Sequence, residues 1–271
     1  MASHTTKLRA AATAVCAAVI VGGAPAALAQ TPSEARAPAL SAPAPAPSTD
    51  PFQGLTADQI ADRAVAATRS ATSLRMTGRV VSAGERLGVD FSVNDHDECT
   101  GAVRIQGGAA QLRQSGGVTY MKGDEGFWRS SMTSQGMPPE QIGPTIELLK
   151  GRWLKITAGQ AGSSDLGGVC DLKSFLADLG KDTGRTGLTR GPDGVVAGVP
   201  VATLVEHKPG GETTTVSVSQ RGKPYILKVV KTGGDEPGTL ELSAYDKPVK
   251  VVIPPADETV DLAKLDQGTS A

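Results

Sequence analysis

Short segments in which apolar and polar residues alternate constrain the fold of this chain more than any other feature. Leu87, Val89, Phe91 and Val93 are separated by single polar or small residues, a period of two that places them on one face of a β-strand. Strands with one apolar face are typical of antiparallel sheets that cover a core on one side only. The same alternation predicts strands at 102–106, 110–114, 118–121, 127–129, 153–156, 199–205, 213–219, 225–231, 239–245 and 249–253.

Helices are predicted at the start and in the middle of this strand-forming sequence. Thr56 and Gln59 have the spacing of a capping box, and apolar residues then recur at helical intervals as far as Leu74. Residues 132–139 have loop composition, 140–150 can form a short helix interrupted at Gly143 and Pro144, and Asp171 can cap a helix over 172–179. The order of elements indicates an α+β domain with a large antiparallel sheet and helices on one face.

The N-terminus has the pattern of a secretory signal peptide over residues 1–29. Basic residues precede an uncharged run over 10–23, and an Ala-x-Ala motif ends at Ala29. The run is too short to span a bilayer, so we expect the mature form not to span a membrane. Because a signal peptide directs export, we expect the protein to be extracellular or in the cell envelope. Acylation of Cys16 is the alternative; we favour the signal peptide because only six residues separate Cys16 from Arg9.

The rest of the chain divides by composition into a spacer, one domain and a tail. Residues 30–51 are rich in Pro and Ala, which predicts a disordered spacer. Residues 52–265 are long enough for a single domain with a sizeable core, and 266–271 are predicted to be a disordered tail.

Cys99 and Cys170 are the two cysteines that remain after the leader, and an even count in an exported protein predicts a disulfide between them. No metal site is predicted, because His96 and His207 lack ligand spacing. The acidic segment 94–98 suits either a cation site or a hairpin turn, and we favour the turn. The formal net charge is −1 and basic residues form no stripe with aromatic ones, so nucleic acid is not an expected partner.

The order of elements resembles the LolA-like fold, and in particular envelope lipoproteins of the LppX and LprG type. The resemblance spans about residues 55–262 and depends on segments that are common singly. These segments are 73–78 (SLRMTG), 117–121 (GVTYM), 127–128 (FW), 153–156 (WLKI), 198–201 (GVPV), 222–227 (GKPYIL) and the closing 245–256. It implies a curved antiparallel sheet, an incomplete barrel, with helices covering its concave face. The acylated N-terminal cysteine usual in that family is missing from the pattern here, and the apolar face is poor in aromatic residues.

The resemblance implies a carrier that binds lipid or an acylated molecule in an apolar cavity between sheet and helices. An envelope lipoprotein or membrane protein is a candidate protein partner. The expected cavity residues are Phe91, Val93, Tyr120, Met121, Trp128, Met132, Met137, Ile146, Leu149, Trp153, Phe175, Val218 and Leu227. The alternative is a non-catalytic envelope sensor or protein-interaction module of the same fold, as in RseB-like regulators. No catalytic or cofactor-binding motif was recognised in the sequence, so neither an enzyme nor a cofactor is expected.

Overall fold

A computed structural model describes residues 50–82, 84–157, 170–178, 187–261 and 264 of the 271-residue chain. The predicted signal peptide, the spacer as far as residue 49 and the predicted tail lie outside the described residues. The described part contains four α-helices, thirteen strands and a 3-10 turn at Ala256–Glu258. The helices are α1 Ala57–Arg69, α2 Glu125–Ser134, α3 Pro139–Leu149 and α4 Leu172–Asp178.

The first six strands and the helices between them make up the first half of the domain, and seven strands follow α4. The strands are β1 Ser73–Ser82, β2 Glu85–Asn94, β3 Cys99–Ile105, β4 Gly108–Ser115, β5 Val118–Gly123, β6 Trp153–Thr157, β7 Thr189–Arg190, β8 Gly194–Val196, β9 Val199–His207, β10 Thr213–Ser219, β11 Ile226–Thr232, β12 Gly238–Ser243 and β13 Thr259–Asp261.

All thirteen strands belong to one sheet that does not close on itself. The order across the sheet is β13-β6-β5-β4-β3-β2-β1-β12-β11-β10-β9-β7, with β8 also paired to β9. Every pair is antiparallel except β13 with β6. Because β13 and β7 stand at opposite ends of this order, the sheet is open, and the predicted α+β incomplete barrel is confirmed.

Helix α1 begins where the sequence predicted, and its apolar side packs on the sheet. Thr56 Oγ1 accepts a hydrogen bond from the Gln59 amide at 3.2 Å, and Gln59 Oε1 accepts one from the Thr56 amide at 3.0 Å. The helix ends at Arg69 and does not continue to Leu74, which lies in β1. The prediction of one helix to Leu74 was therefore wrong, because Leu74 instead pairs with Val93 across the β1–β2 ladder.

Two hydrophobic clusters lie on the helix-covered side of the sheet. The first, here called the α1 core, joins α1 and α4 to the middle and second half of the sheet, and includes Ile60, Leu74, Phe91, Leu172, Leu204 and Val218. The second, here called the α2–α3 core, joins α2 and α3 to β4, β5 and β6, and includes Met121, Trp128, Ile146, Leu154 and Ile156. Each half of the sheet thus has its own helices.

Residues 127–129 are helical, so the predicted strand there was wrong. Asp124 Oδ1 accepts a hydrogen bond from the Phe127 amide at 2.7 Å and caps α2, while its Oδ2 accepts one from the Ala109 amide at 2.9 Å. A Cβ on Gly126 would lie 1.8 Å from the Gly107 carbonyl oxygen, so only glycine allows α2 to start this close to the β3–β4 turn. Helix α2 also includes Met132, in a stretch predicted to be loop.

Helix α3 continues through Pro144 without the predicted interruption. Its residues Ile142, Ile146 and Leu149 are buried in the α2–α3 core at helical spacing, and this packing outweighs the cost of a proline in a helix.

Residues 249–253 do not form the predicted strand, since prolines at 248, 254 and 255 flank them and cannot donate to a ladder. Strands β1, β7, β8 and β13 were not predicted.

Candidate ligand-binding site

A cavity of about 240 Å³ lies between α1, α4 and the second half of the sheet. Helix α1 contributes Ala61, Ala64 and Val65, and α4 contributes Phe175. The remaining apolar wall is formed by Leu188, Leu204, Val216, Ile226 and Val229. These nine side chains make most of the cavity wall hydrocarbon, as in sites that hold apolar ligands.

Small side chains on α1 explain why space remains here. Ala61 and Ala64 are both buried and point at strands β9 to β11, so no large side chain of the helix fills the gap. Val216 and Val229 face each other across the β10–β11 ladder and are only half-buried although both are apolar. The helix covers this part of the sheet without filling the space above it.

Ile226, which lines the cavity, is held in place by both its backbone groups. Its amide donates to Thr68 Oγ1 of α1 at 3.0 Å, and its carbonyl oxygen accepts a short hydrogen bond from the Tyr245 hydroxyl. Burial raises the pKa of Tyr245 above its usual value, so this hydroxyl remains a donor. The Tyr245 ring stacks on Tyr225 with ring centres 4.0 Å apart.

Polar side chains line the opposite end of the cavity. Thr214 of β10 pairs in register with Glu206 of β9 on one side and with Lys231 of β11 on the other, and all three line the cavity. Lys208, two residues after Glu206, also lines the cavity and forms an ion pair with Glu212, with 3.3 Å between Nζ and Oε1. Glu206 is only 5% exposed.

The residues predicted to line one cavity do not lie together in the structure. Phe91, Val93 and Val218 are buried in the α1 core, and Phe175 lines the cavity itself. Met121, Trp128, Met132, Met137, Ile146 and Leu149 pack together in or against the α2–α3 core. Leu227 is half-buried and follows Ile226 in β11.

Tyr120 and Trp153 lie on the other face of the sheet. Their neighbours Met121 and Leu154 belong to the α2–α3 core, and successive side chains of a strand point to opposite faces. The Trp153 ring is covered by Arg113, whose guanidinium carbon lies 4.3 Å from the ring centre. Arg113 Nη1 in turn donates to the Val252 carbonyl oxygen at 2.7 Å, so the segment after β12 crosses this outer face.

Most residues that line the cavity were not among those predicted. A signal was available in β9, where Ala202, Leu204 and Glu206 occupy the inward positions and an acid follows two apolar residues. An acid at an inward position of a strand indicates a functional site or a buried ion pair more often than ordinary packing.

The disulfide between Cys99 and Cys170 is present, with Cα atoms 5.4 Å apart, as predicted. It connects β3 to Cys170, which lies two residues before the first residue of α4. The acidic segment forms the β2–β3 hairpin turn, in which Asn94 Oδ1 accepts hydrogen bonds from the amides of His96 and Glu98, each at 3.0 Å. Within the described ranges, no group of three or more His, Cys, Asp or Glu residues is arranged to hold a metal ion.

No helix in the part of the chain that the structure describes is both long and apolar enough to span a bilayer. No family model and no curated protein sequence matches the chain.

Solved structures do match. LprF from Mycobacterium bovis has a TM-score of 0.50 and 14% identity, and the match covers 74% of this chain and 97% of LprF. Lipoprotein LppX from Mycobacterium tuberculosis has a TM-score of 0.44 and 16% identity over 72% of this chain and 98% of LppX. The MucA/MucB complex of Pseudomonas aeruginosa gives a TM-score of 0.32 and 12% identity, covering 74% of this chain and 59% of the matched one. The likeness to LprF confirms the predicted fold.

Proposed function

We propose that this protein is an exported carrier that binds a lipid or acylated molecule, with one acyl chain in the cavity between α1, α4 and strands β9 to β11. The observation that carries the proposal is the apolar cavity of about 240 Å³ between α1, α4 and the second half of the sheet. The apolar lining and the half-buried valines support a hydrocarbon ligand over a polar one.

The size of the cavity favours a single chain. An apolar cavity of about 150 Å³ accommodates benzene, with six carbons. By proportion, the present volume holds roughly ten carbons of one chain, and a longer chain would extend out of the cavity.

Burial of that chain supplies enough free energy for binding without specific hydrogen bonds. Each methylene removed from water contributes about 0.8 kcal/mol, so roughly ten of them contribute about 8 kcal/mol before the cost of immobilising the ligand. Export to the cell envelope, proposed from the N-terminal pattern, is consistent with a carrier that moves or holds lipid there.

Direct detection of ligand tests this function. The protein is secreted from its own host, purified without detergent and measured by mass spectrometry under native conditions and after solvent extraction. We expect a bound molecule with an acyl chain. A protein that is recovered free of lipid, and that co-purifies with a protein partner instead, would support the envelope sensor or interaction module and contradict the carrier.

Two neighbouring valines of β11 provide a matched pair of variants for locating the ligand. Val229 lines the cavity, whereas Val230 lies on the outer face with Thr77 and Glu241. Val229→Phe should fill the cavity and lower the affinity for an acyl ligand at least tenfold, measured by calorimetry with monodecanoylglycerol. Val230→Phe should bind monodecanoylglycerol with the affinity of the unaltered protein. Equal binding by both variants would place the ligand elsewhere.

A further inference from the structure

We infer that the outer face of strands β1 to β6, together with the segment 249–253 that crosses it, docks this protein on a bilayer that carries anionic phospholipids. This surface, here called the basic face, lies on the side of the sheet opposite to the helices. The inference goes beyond the proposed function and does not depend on it, because no residue of the basic face lines the cavity.

Basic side chains predominate at the outward positions of these six strands. Strand register and the alternation of side chains place them on one face. Among the described residues of β1 to β6, Asp90 is the only acid at an outward position, and Asp261 of the neighbouring β13 is paired with Lys155. The outward basic residues are Arg75, Arg79, Arg86, Arg104, Arg113, Lys122 and Lys155.

Three of these arginines surround Gly88 and have no acidic partner. Gly88 pairs in register with Arg79 of β1 on one side and with Arg104 of β3 on the other, and Arg86 lies two residues earlier on the same face of β2. All three are exposed, and none forms an ion pair with any residue that the structure describes. With strands about 4.8 Å apart, Arg79 and Arg104 are separated by roughly 10 Å at the backbone. Guanidinium groups this close repel one another, and anionic phosphate groups relieve that repulsion.

Two neighbouring aliphatic side chains project from the same face. Val252 is 68% exposed and Ile253 is 57% exposed. The carbonyl oxygen of Val252 accepts the hydrogen bond from Arg113, which holds this segment on the basic face. Because exposed aliphatic side chains that adjoin one another mark interaction surfaces more than scattered ones do, this pair indicates a partner with an apolar layer.

A bilayer with anionic lipids satisfies both the charges and the aliphatic pair. Its phosphate groups attract arginine and lysine, and each basic residue close to such a surface strengthens binding about fivefold. The acyl region beneath the head groups receives aliphatic side chains. A nucleic acid would supply phosphates without that apolar layer, so the observations favour the bilayer.

Binding to vesicles of defined composition tests the inference. Co-sedimentation would compare phosphatidylcholine vesicles with vesicles of equal parts phosphatidylcholine and phosphatidylglycerol. We expect the purified protein to bind the mixed vesicles at least tenfold more tightly, and to lose most of this binding at about 1 M salt, where the screening length is about 3 Å.

Two double variants that remove the same charge separate a specific surface from general attraction. Arg79→Gln/Arg104→Gln should bind the mixed vesicles at least tenfold more weakly. Arg63→Gln/Lys173→Gln changes exposed residues of α1 and α4, on the helix side of the sheet, and should bind within about twofold of the parent protein.

The aliphatic pair has its own matched control. Val252→Ser/Ile253→Ser should weaken binding to the mixed vesicles about fivefold, because less hydrocarbon enters the bilayer. Val195→Ser, in β8, changes a side chain that is 69% exposed elsewhere on the molecule and should leave binding unchanged.

The two tryptophans of the chain report which face meets the bilayer. Trp153 lies on the basic face beneath Arg113, whereas Trp128 is buried in the α2–α3 core. Vesicles with brominated phosphatidylglycerol should quench the fluorescence of Trp128→Phe, which retains Trp153, more strongly than that of Trp153→Phe.

Several results would overturn the inference. They are equal binding to both kinds of vesicle, equal loss of binding in the two charge variants, and equal quenching of the two tryptophan variants. Binding to soluble polyglutamate without binding to vesicles would also overturn it and would indicate an acidic protein partner. Any of these results would leave the proposed function standing, since ligand in the cavity is detected separately by mass spectrometry and by the Val229→Phe variant.

Discussion

Thr68 connects α1 to the cavity wall through one buried hydrogen bond. Its side chain is fully buried, and Oγ1 accepts the hydrogen bond from the Ile226 amide at 3.0 Å. Because the amide lies at the start of β11, next to a bulge in the β10–β11 ladder, it cannot obtain a replacement partner from a regular strand pair. The hydroxyl therefore matters both for helix docking and for the position of Ile226.

Thr68→Val should lower the free energy of unfolding by about 1–3 kcal/mol, because it leaves the Ile226 amide buried without an acceptor. Urea unfolding of the purified protein measures this change. Thr77→Val makes the same substitution on the outer face of β1, where the effect should stay within about 0.5 kcal/mol. Equal stability of the two variants would show that the Thr68 hydrogen bond contributes nothing.

Asp246, which follows β12, connects the residues that precede β1 and β11. Its carboxylate accepts hydrogen bonds from the Tyr225 hydroxyl at 2.5 Å and from the Thr72 amide at 3.0 Å, and Lys223 Nζ lies 3.3 Å away. The hydrogen bond from Tyr225, followed by the one from Thr72, lowers the pKa of Asp246 to about 2 from the usual 3.8. The folded protein therefore binds this proton less tightly than the unfolded chain does.

Stability from Asp246 should be complete above about pH 4 and should be lost as the pH falls toward 2. The side chain is 36% exposed, so solvent screening reduces the contribution to about 1 kcal/mol or less. Asparagine tolerates the left-handed backbone at position 246, where φ is 55°. The variant Asp246→Asn should flatten the pH dependence of urea unfolding between about pH 5 and about pH 2. The exposed turn variant Asp235→Asn is the control. An unchanged acid profile in Asp246→Asn would contradict this assignment.

At the scale of elements, α4 is a short helix held in place from both ends. The disulfide between Cys99 and Cys170 ties the segment that leads into α4 to β3, and both cysteines are fully buried. At the other end, Arg69 of α1 donates to the carbonyl oxygens of Leu176 at 3.1 Å and Ala177 at 2.8 Å. Basic side chains suit these positions because the last carbonyl groups of a helix lack internal partners.

Removal of the disulfide should loosen this helix and the cavity wall that it contributes. The two cysteines are 71 residues apart, and closing such a loop stabilises a domain by about 4 kcal/mol in the chain-entropy model. The double variant Cys99→Ala/Cys170→Ala should lose most of that amount and bind monodecanoylglycerol more weakly, because Phe175 lies on α4. Reductant should lower the denaturation midpoint of the parent protein and should leave that of the double variant unchanged. Unchanged stability and binding in the double variant would refute this role for the disulfide.

At the scale of the whole molecule, one sheet is covered in two different ways. Helices α2 and α3 cover their half with large side chains such as Trp128 and Ile146, whereas the residues of α1 above the cavity are Ala61, Ala64 and Val65. Large side chains facing a sheet fill the space between the layers, and small ones leave room. The two halves of the domain therefore differ in how the space between helices and sheet is packed.

Filling the cavity from the helix side should weaken ligand binding and raise the stability of the free protein. Ala64→Leu adds hydrocarbon to the cavity wall, so we expect an unfolding free energy about 1 kcal/mol higher without ligand and at least tenfold weaker binding of monodecanoylglycerol. Thermal unfolding with ligand at 100 times the dissociation constant should stabilise the parent protein by about 2.7 kcal/mol, and Ala64→Leu much less. Ala66→Leu, at an exposed position of the same helix, should be stabilised by the ligand as much as the parent protein is. A full ligand response in Ala64→Leu would contradict the location of the site.

Much of the fold could be predicted from local patterns. The capping box at Thr56, most of the long antiparallel strands, the cap at Asp171 and the pairing of the two cysteines follow from residue type and spacing. The failures occur where distant contacts compete with local preference. Phe127 and Trp128 favour a strand locally, but the hydrogen bonds of Asp124 to Phe127 and to Ala109 in β4 start a helix there.

The sequence by itself determined the alternation of the strands, the start of α1 and the presence of one apolar face, because these depend on backbone geometry and on neighbours a few residues away. Only the tertiary structure decided where space remains against that face. An empty volume depends on side chains from α1, α4 and three strands that meet across more than a hundred residues, and Phe175 alone among the predicted cavity residues lies on it. The placement of Glu206 beside Thr214 and Lys231 likewise results from strand register, which no local pattern specifies.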